Sequence, residues 1–96
     1  MNIEKIKEAI EKMAQDKKMI RRLAIDHALG IAPANLVMRA TQESPSKPLS
    51  QREEAMRDYI DSFAKSRKKS LMLAAEAART CAPSYEVDEA LKALMP

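Results

Sequence analysis

Slid fifty positions along itself without a gap, the sequence lies over itself, residues 2–46 above residues 52–96. Identities fall at Glu4/Glu54, Ile10/Ile60, Ala14/Ala64, Lys18/Lys68, Leu23/Leu73, Ala24/Ala74, Ala28/Ala78, Ala32/Ala82, Pro33/Pro83, Val37/Val87 and Ala40/Ala90. Those eleven matches in forty-five pairs compare with roughly three or four expected by chance from this composition. Five of them are alanine pairs, which two alanine-rich helices share through phase alone. The Ala-Pro coincidence carries more weight, because it follows the long segment in both copies. The chain is thereby constrained to a plan of long helix, proline break and short helix, used twice. The tandem halves are 2–46 and 52–96, joined by a linker over 43–50.

Apolar spacing fills in that plan. Ile3, Ile6, Ile10, Met13, Ile20 and Ala24 recur every three or four residues, which predicts one long helix over 3–29. Lys17 interrupts the stripe. Gly30, the only glycine, stands where a helix end favours a left-handed residue. Pro33 then opens a short helix to about Gln42, offering Leu36, Val37 and Ala40 inward. The linker ends in Ser50-Gln51-Arg52-Glu53, the Ser-x-x-Glu form of a capping box, so a third helix starts at Gln51. It runs to about Thr80 with Met56, Tyr59, Ile60, Phe63, Leu71, Ala74, Ala78 and Cys81 on one side, interrupted at Arg67. After Pro83, residues 85–95 form the fourth helix, with Val87, Ala90, Leu91 and Leu94 inward. Alternating β-branched runs are absent. The expected fold is a single all-α domain over 1–96: four helices in long-short-long-short order, two helical hairpins packed as a small bundle.

Ninety-six residues with three aromatic side chains and no tryptophan must build a thin core from Ile, Leu, Met, Val and Ala. Self-association, as a homodimer, or a partner surface is the corresponding expectation. One cysteine cannot form an internal disulfide and fits a reducing compartment. The charged, amphipathic start lacks the apolar stretch of a signal peptide, and no apolar run reaches membrane-spanning length. Cytoplasmic residence without membrane contact follows as an expectation.

Catalytic constellations find little support. His27 is the only histidine, and neighbouring Asp26 lies on a different helix face. It reads as a core-edge residue or a partner for helix-terminal carbonyls. Cys81, in an alanine-rich face, reads as a buried or half-buried inert thiol. One His and one Cys do not make a structural zinc site, and one glycine does not make a phosphate-cradling loop. No cofactor, metal or small-molecule substrate is indicated, and the chain is expected not to be an enzyme. The methionines, Met13, Met56 and Met72 among them, read as core filling.

Charge gives the more specific clue. The net charge of +3 is modest, yet residues 1–50 hold nine basic and six acidic groups while 51–96 hold eight of each. Lys17, Lys18, Arg21 and Arg22 form one dense basic run, and Lys65, Arg67, Lys68 and Lys69 form another at the matching place. Packed side by side, the long helices would merge these into one band suited to nucleic-acid phosphates or an acidic protein surface. Asp16, Asp58 and Asp61 can also pair locally, which would leave a solvated face. Leu29-Gly30-Ile31 and the short helix after it have the outline of a helix-turn-helix, placing Asn35, Arg39 and Gln42 towards DNA. Asp26 and Arg39 depart from that motif's apolar pattern, and the matching helix in the second half carries Glu86, Asp88 and Glu89. The expected function is a small regulatory or adaptor protein that binds nucleic acid, or a protein that handles it, through basic helix faces. The alternatives are a purely protein-directed module (inhibitor, chaperone or assembly subunit) and a helix-turn-helix-like DNA regulator.

Overall fold

A computed structural model describes residues 2–96, and its described residues contain six α-helices and no strand. These are α1 (Ile3–Gln15), α2 (Lys17–Leu29), α3 (Ala34–Thr41), α4 (Gln51–Lys65), α5 (Arg67–Ala78) and α6 (Ser84–Leu94). The all-α class holds. The four-helix order does not, because each expected long helix is two.

The breaks fall at Asp16 and Ser66, fifty residues apart. Asp16 leaves the helical region at φ −85°, ψ 97°, and its side chain accepts from the Met19 N–H at 3.2 Å. Ser66 does the same at φ −114°, ψ 122°, accepting from the Lys69 N–H at 3.3 Å. Short polar side chains that can cap a new helix compete with continuation of the old one. The interruptions of the apolar stripe at Lys17 and Arg67 are where its phase restarts. Each break also leaves a carbonyl without its helical donor. The Met13 carbonyl accepts from the Asp16 N–H at 3.1 Å, while the matching Phe63 carbonyl accepts from the buried Ser70 hydroxyl at 2.6 Å.

The breaks redirect the packing, so the two halves are not separate hairpins. Helix α1 lies on α5 and α6, and α4 lies on α2 and α3, each leading helix covering the other half. Helices α2 and α5 also meet each other. The result is elongated, 49 × 20 × 18 Å. Its core draws matching positions from both halves: Ile10 and Ile60, Ala24 and Ala74, Val37 and Val87, Ala40 and Ala90 are all buried. Each fully buried isoleucine contributes about 2–3 kcal/mol through removal of apolar surface from water. Alanines keep the helix contacts close where α5 packs, with Ala74, Ala75 and Ala78 buried.

Two local expectations need correction. Gly30 is right-handed, at φ −82°, ψ −13°. Its turn is closed by ordinary hydrogen bonds from Gly30, Ile31 and Ala32 N–H groups, and Thr80, Cys81 and Ala82 repeat that pattern without a glycine. Met72 is half exposed rather than core, whereas Met13 and Met56 pack partly buried against the core. The capping box at Ser50 and Glu53 forms as expected, with both reciprocal hydrogen bonds present.

Candidate functional site

Because the breaks fall at Asp16 and Ser66, part of each basic run opens a new helix, while Lys65 closes α4 and Arg21 and Arg22 lie beyond the first turn of α2. Lys17 and Lys18 open α2; Arg67, Lys68 and Lys69 open α5. The packing sets the two breaks beside each other. A recess of about 350 Å³ is lined by Ala14, Gln15 and Lys17 from the first and by Lys65, Arg67 and Ser70 from the second. Lys17 also borders an adjoining hollow with Lys18, Arg21 and Asp61, and Arg67 borders another with Lys68 and Leu71. Six of the eight expected basic residues thus form a band across the waist of the molecule.

The other two do not line these hollows. Arg22 is exposed on α2. Lys69 turns back along α4, where its Nζ donates to Ser62 Oγ at 3.1 Å and stands 5.9 Å from the centre of the Phe63 ring.

Part of the band is neutralised from within. Arg21 pairs with Asp61 at 2.8 Å and Arg67 with Glu11 at 3.0 Å. The hydrogen bond from Arg67 holds the Glu11 carboxyl below its usual range, against a weaker opposing effect of burial. Among the described residues, Lys17, Lys18, Lys65 and Lys68 make no ion pair. The placement of Lys17, Lys18 and Lys68 also runs against the helix dipole, whereas Lys65 closes α4. Helices α1, α4 and α6 begin with acids, but α2 and α5 have none in their first turns. A cation at a helix N-terminus forgoes about 0.3–1 kcal/mol of the stabilisation an acid gains there at low ionic strength. An anion docked at the waist would meet the lysines and the N-terminus of α5, which a neutral serine caps, whereas the Asp16 carboxylate already caps α2.

The residues of the expected DNA-reading helix are placed differently. Asn35 is exposed on α3. Arg39 is committed within the chain: Nε donates to Glu53 Oε2 at 3.4 Å, and Nη1 donates to Gln42 Oε1 at 3.1 Å. Its Nη2 donates to the Lys47 and Pro48 carbonyls at 3.0 and 3.3 Å. Arg57, which sequence reasoning passed over, donates to the Ala40 carbonyl at 2.7 Å and to the Gln42 carbonyl. Arg39, Gln42 and Arg57 together tie the linker and the end of α3 to α4.

A second cluster was also missed. His27 Nε2 and the Tyr59 hydroxyl share a hydrogen bond at 2.9 Å, and Phe63 meets both rings edge-on with centroids 5.4 and 5.3 Å away. The signal was present, since Tyr59 and Phe63 stand four apart on one face, but their partner lies on another helix. Cys81 is exposed, which corrects the buried or half-buried thiol expected there. Among the described residues no group of three or more His, Cys, Asp or Glu side chains is arranged to hold a metal, and no helix is long and apolar enough to cross a membrane. Comparison with protein-family models, curated proteins and solved structures finds no match for this chain.

Proposed function

We propose that this chain is a non-enzymatic binding module that engages the phosphate backbone of nucleic acid through the band at its waist. One observation carries the reading: the two helix breaks stand together, gathering Lys17, Lys65 and Arg67 around one recess with Lys18, Arg21 and Lys68 beside them. Cations at helix N-termini break the local charge preference of a helix, and such departures concentrate at functional sites. Nucleic acid, a dense row of phosphates, is the partner that best relieves several of them at once. The commitment of Arg39 and Gln42 to the linker speaks for backbone contact rather than base reading.

The test is anisotropy of a fluorescent duplex of arbitrary sequence. With four unpaired lysines engaged, affinity should fall by on the order of 10² between about 50 and 200 mM salt. No binding at the lower salt would remove the reading.

A second reading, a protein-directed module, draws on the exposure of Ile31, Met38 and Tyr85, each more than half accessible. It predicts capture of a protein partner that survives charge reversal at Lys17 and Lys65 and is lost when Ile31 and Met38 are made polar.

A further inference from the structure

An open cleft of about 370 Å³ lies at the joint between α1 and the C-terminal end of α5, with Lys5, Ile6, Ala9, Met13, Ala77 and Cys81 in its lining. Shifted by fifty, Ala9 becomes Tyr59, Met13 becomes Phe63 and Ala77 becomes His27. Those are the three residues whose rings interlock where α4 meets the end of α2. The hydrogen bonds that close the turns at 30–32 and 80–82, at the far ends of α2 and α5, follow one pattern. One joint fills its gap with its own aromatic rings; the other lines the gap with small side chains and leaves it open.

We infer that this open joint is a binding site for a small aromatic carboxylate. The positions that line it match, fifty residues away, those of Tyr59, Phe63 and His27, whose rings pack together. The volume lies at the lower end of the range for small-molecule sites, about 300–1,000 Å³, as does an apolar lining with few polar groups. Met13 and Cys81 are among the lining residues, and soft thioether and thiol groups favour aromatic rings. Lys5 stands where the other half has Ala55, contributes the only charge among the lining residues, and makes no ion pair among the described residues. Its partner is therefore an anion carried by the ring. The inference is independent of the polyanion band.

Methyl NMR shifts of Ala9, Met13 and Ala77, followed during titration with 3-phenylpropionate, test it directly. Saturable shifts are expected at these methyls, with Met56 and Ala55 at the filled joint unmoved. Removing the charge, through 3-phenylpropionamide or Lys5→Ala, should weaken binding about threefold, the scale of one exposed ion pair. Cyclohexanepropionate should bind about twofold or more weakly, for loss of the sulfur–ring contacts. The variant Ala9→Tyr/Met13→Phe copies the filled joint and should abolish the shift. If it fails to fold, Ala9→Leu, which narrows the same cleft, should weaken binding. Absence of saturable shifts in the unmodified protein, equal shifts at both joints, or undiminished binding in a folded cleft-filling variant would each overturn the inference.

Discussion

Two of the packings between the halves of this molecule, α4 against α2 and α1 against α5, are built from different materials. At the first, Tyr59, Phe63 and His27 interlock; at the matching places in the second stand Ala9, Met13 and Ala77. The breaks at 16 and 66 and the closing turns at 30–32 and 80–82 fall fifty residues apart, while the side chains at these matching places differ in volume. A shared backbone plan thus sets where a gap occurs, and three residues decide whether the chain fills it. The filled joint should carry more of the stability, and the open one more of the capacity to bind.

The sharpest way to break this comparison is at the core both halves share. Ile10→Ala and Ile60→Ala, each removing a fully buried side chain, should cost about 2–5 kcal/mol apiece by denaturant unfolding. If the two scaffolds are equivalent, the losses agree within about 1 kcal/mol, the ordinary spread between comparable sites. A wide disagreement would show that the halves are packed unequally throughout.

Next come the joints themselves. Phe63 and Met13 are both partly buried against the core. Phe63→Ala should destabilise by about 2 kcal/mol and Met13→Ala by about 1 kcal/mol, since partial burial scales down the usual core penalties. Equal losses would contradict the unequal division of stability. The breaks differ as well. Ser70→Ala should cost about 1–2 kcal/mol, because it strands the Phe63 carbonyl that its hydroxyl now satisfies. The first break satisfies the Met13 carbonyl from the backbone, so Ile20→Ala there should strand no carbonyl and cost about 2–5 kcal/mol, the usual loss for a fully buried isoleucine.

The smallest effect is acid sensitivity. Glu53 is held below its usual range by the Ser50 backbone hydrogen bond first, then by Arg39, and Glu11 by Arg67. A depressed folded value means that each carboxylate contributes stability that is present above the unfolded value of about 4.5. That contribution is lost as pH falls from there through the lower folded value. Unfolding midpoints measured from pH 6 to pH 3 should fall, and Glu53→Gln with Glu11→Gln should flatten the decline. An unchanged slope in the double variant would remove both groups from the acid response.

Much of this arrangement was legible in the residues. The capping box at Ser50, the proline breaks at 33 and 83, and the inward Val37, Ala40, Val87 and Ala90 follow from local chemistry, which needs no knowledge of distant partners. The breaks at Asp16 and Ser66 were half legible. The stripe visibly falters at Lys17 and Arg67, but an apolar period of 3.6 continues across a break if the phase nearly holds. What reveals a break is the short polar residue just before each basic run, at a matching position in both halves. Arg39 and the aromatic cluster were not legible, because their partners lie on other elements: Lys47, Pro48 and Glu53 for one, α2 and α4 for the other. Composition at 9, 13, 27, 59, 63 and 77 shows a substitution of large for small. Only the packing shows that three of them interlock while the other three line a cleft.

The central claim is that the two breaks gather separate basic runs into one phosphate-binding band. The most direct measurement is the salt dependence of duplex binding for the unmodified chain beside Lys17→Ala/Lys65→Ala, one lysine from each side of the shared recess. The slope of log affinity against log salt should be about −4 for the unmodified chain and shallower by about 2 in the double variant, each lysine having neutralised one phosphate. Binding that is undetectable at low salt, or a slope unaltered by losing both lysines, would contradict it.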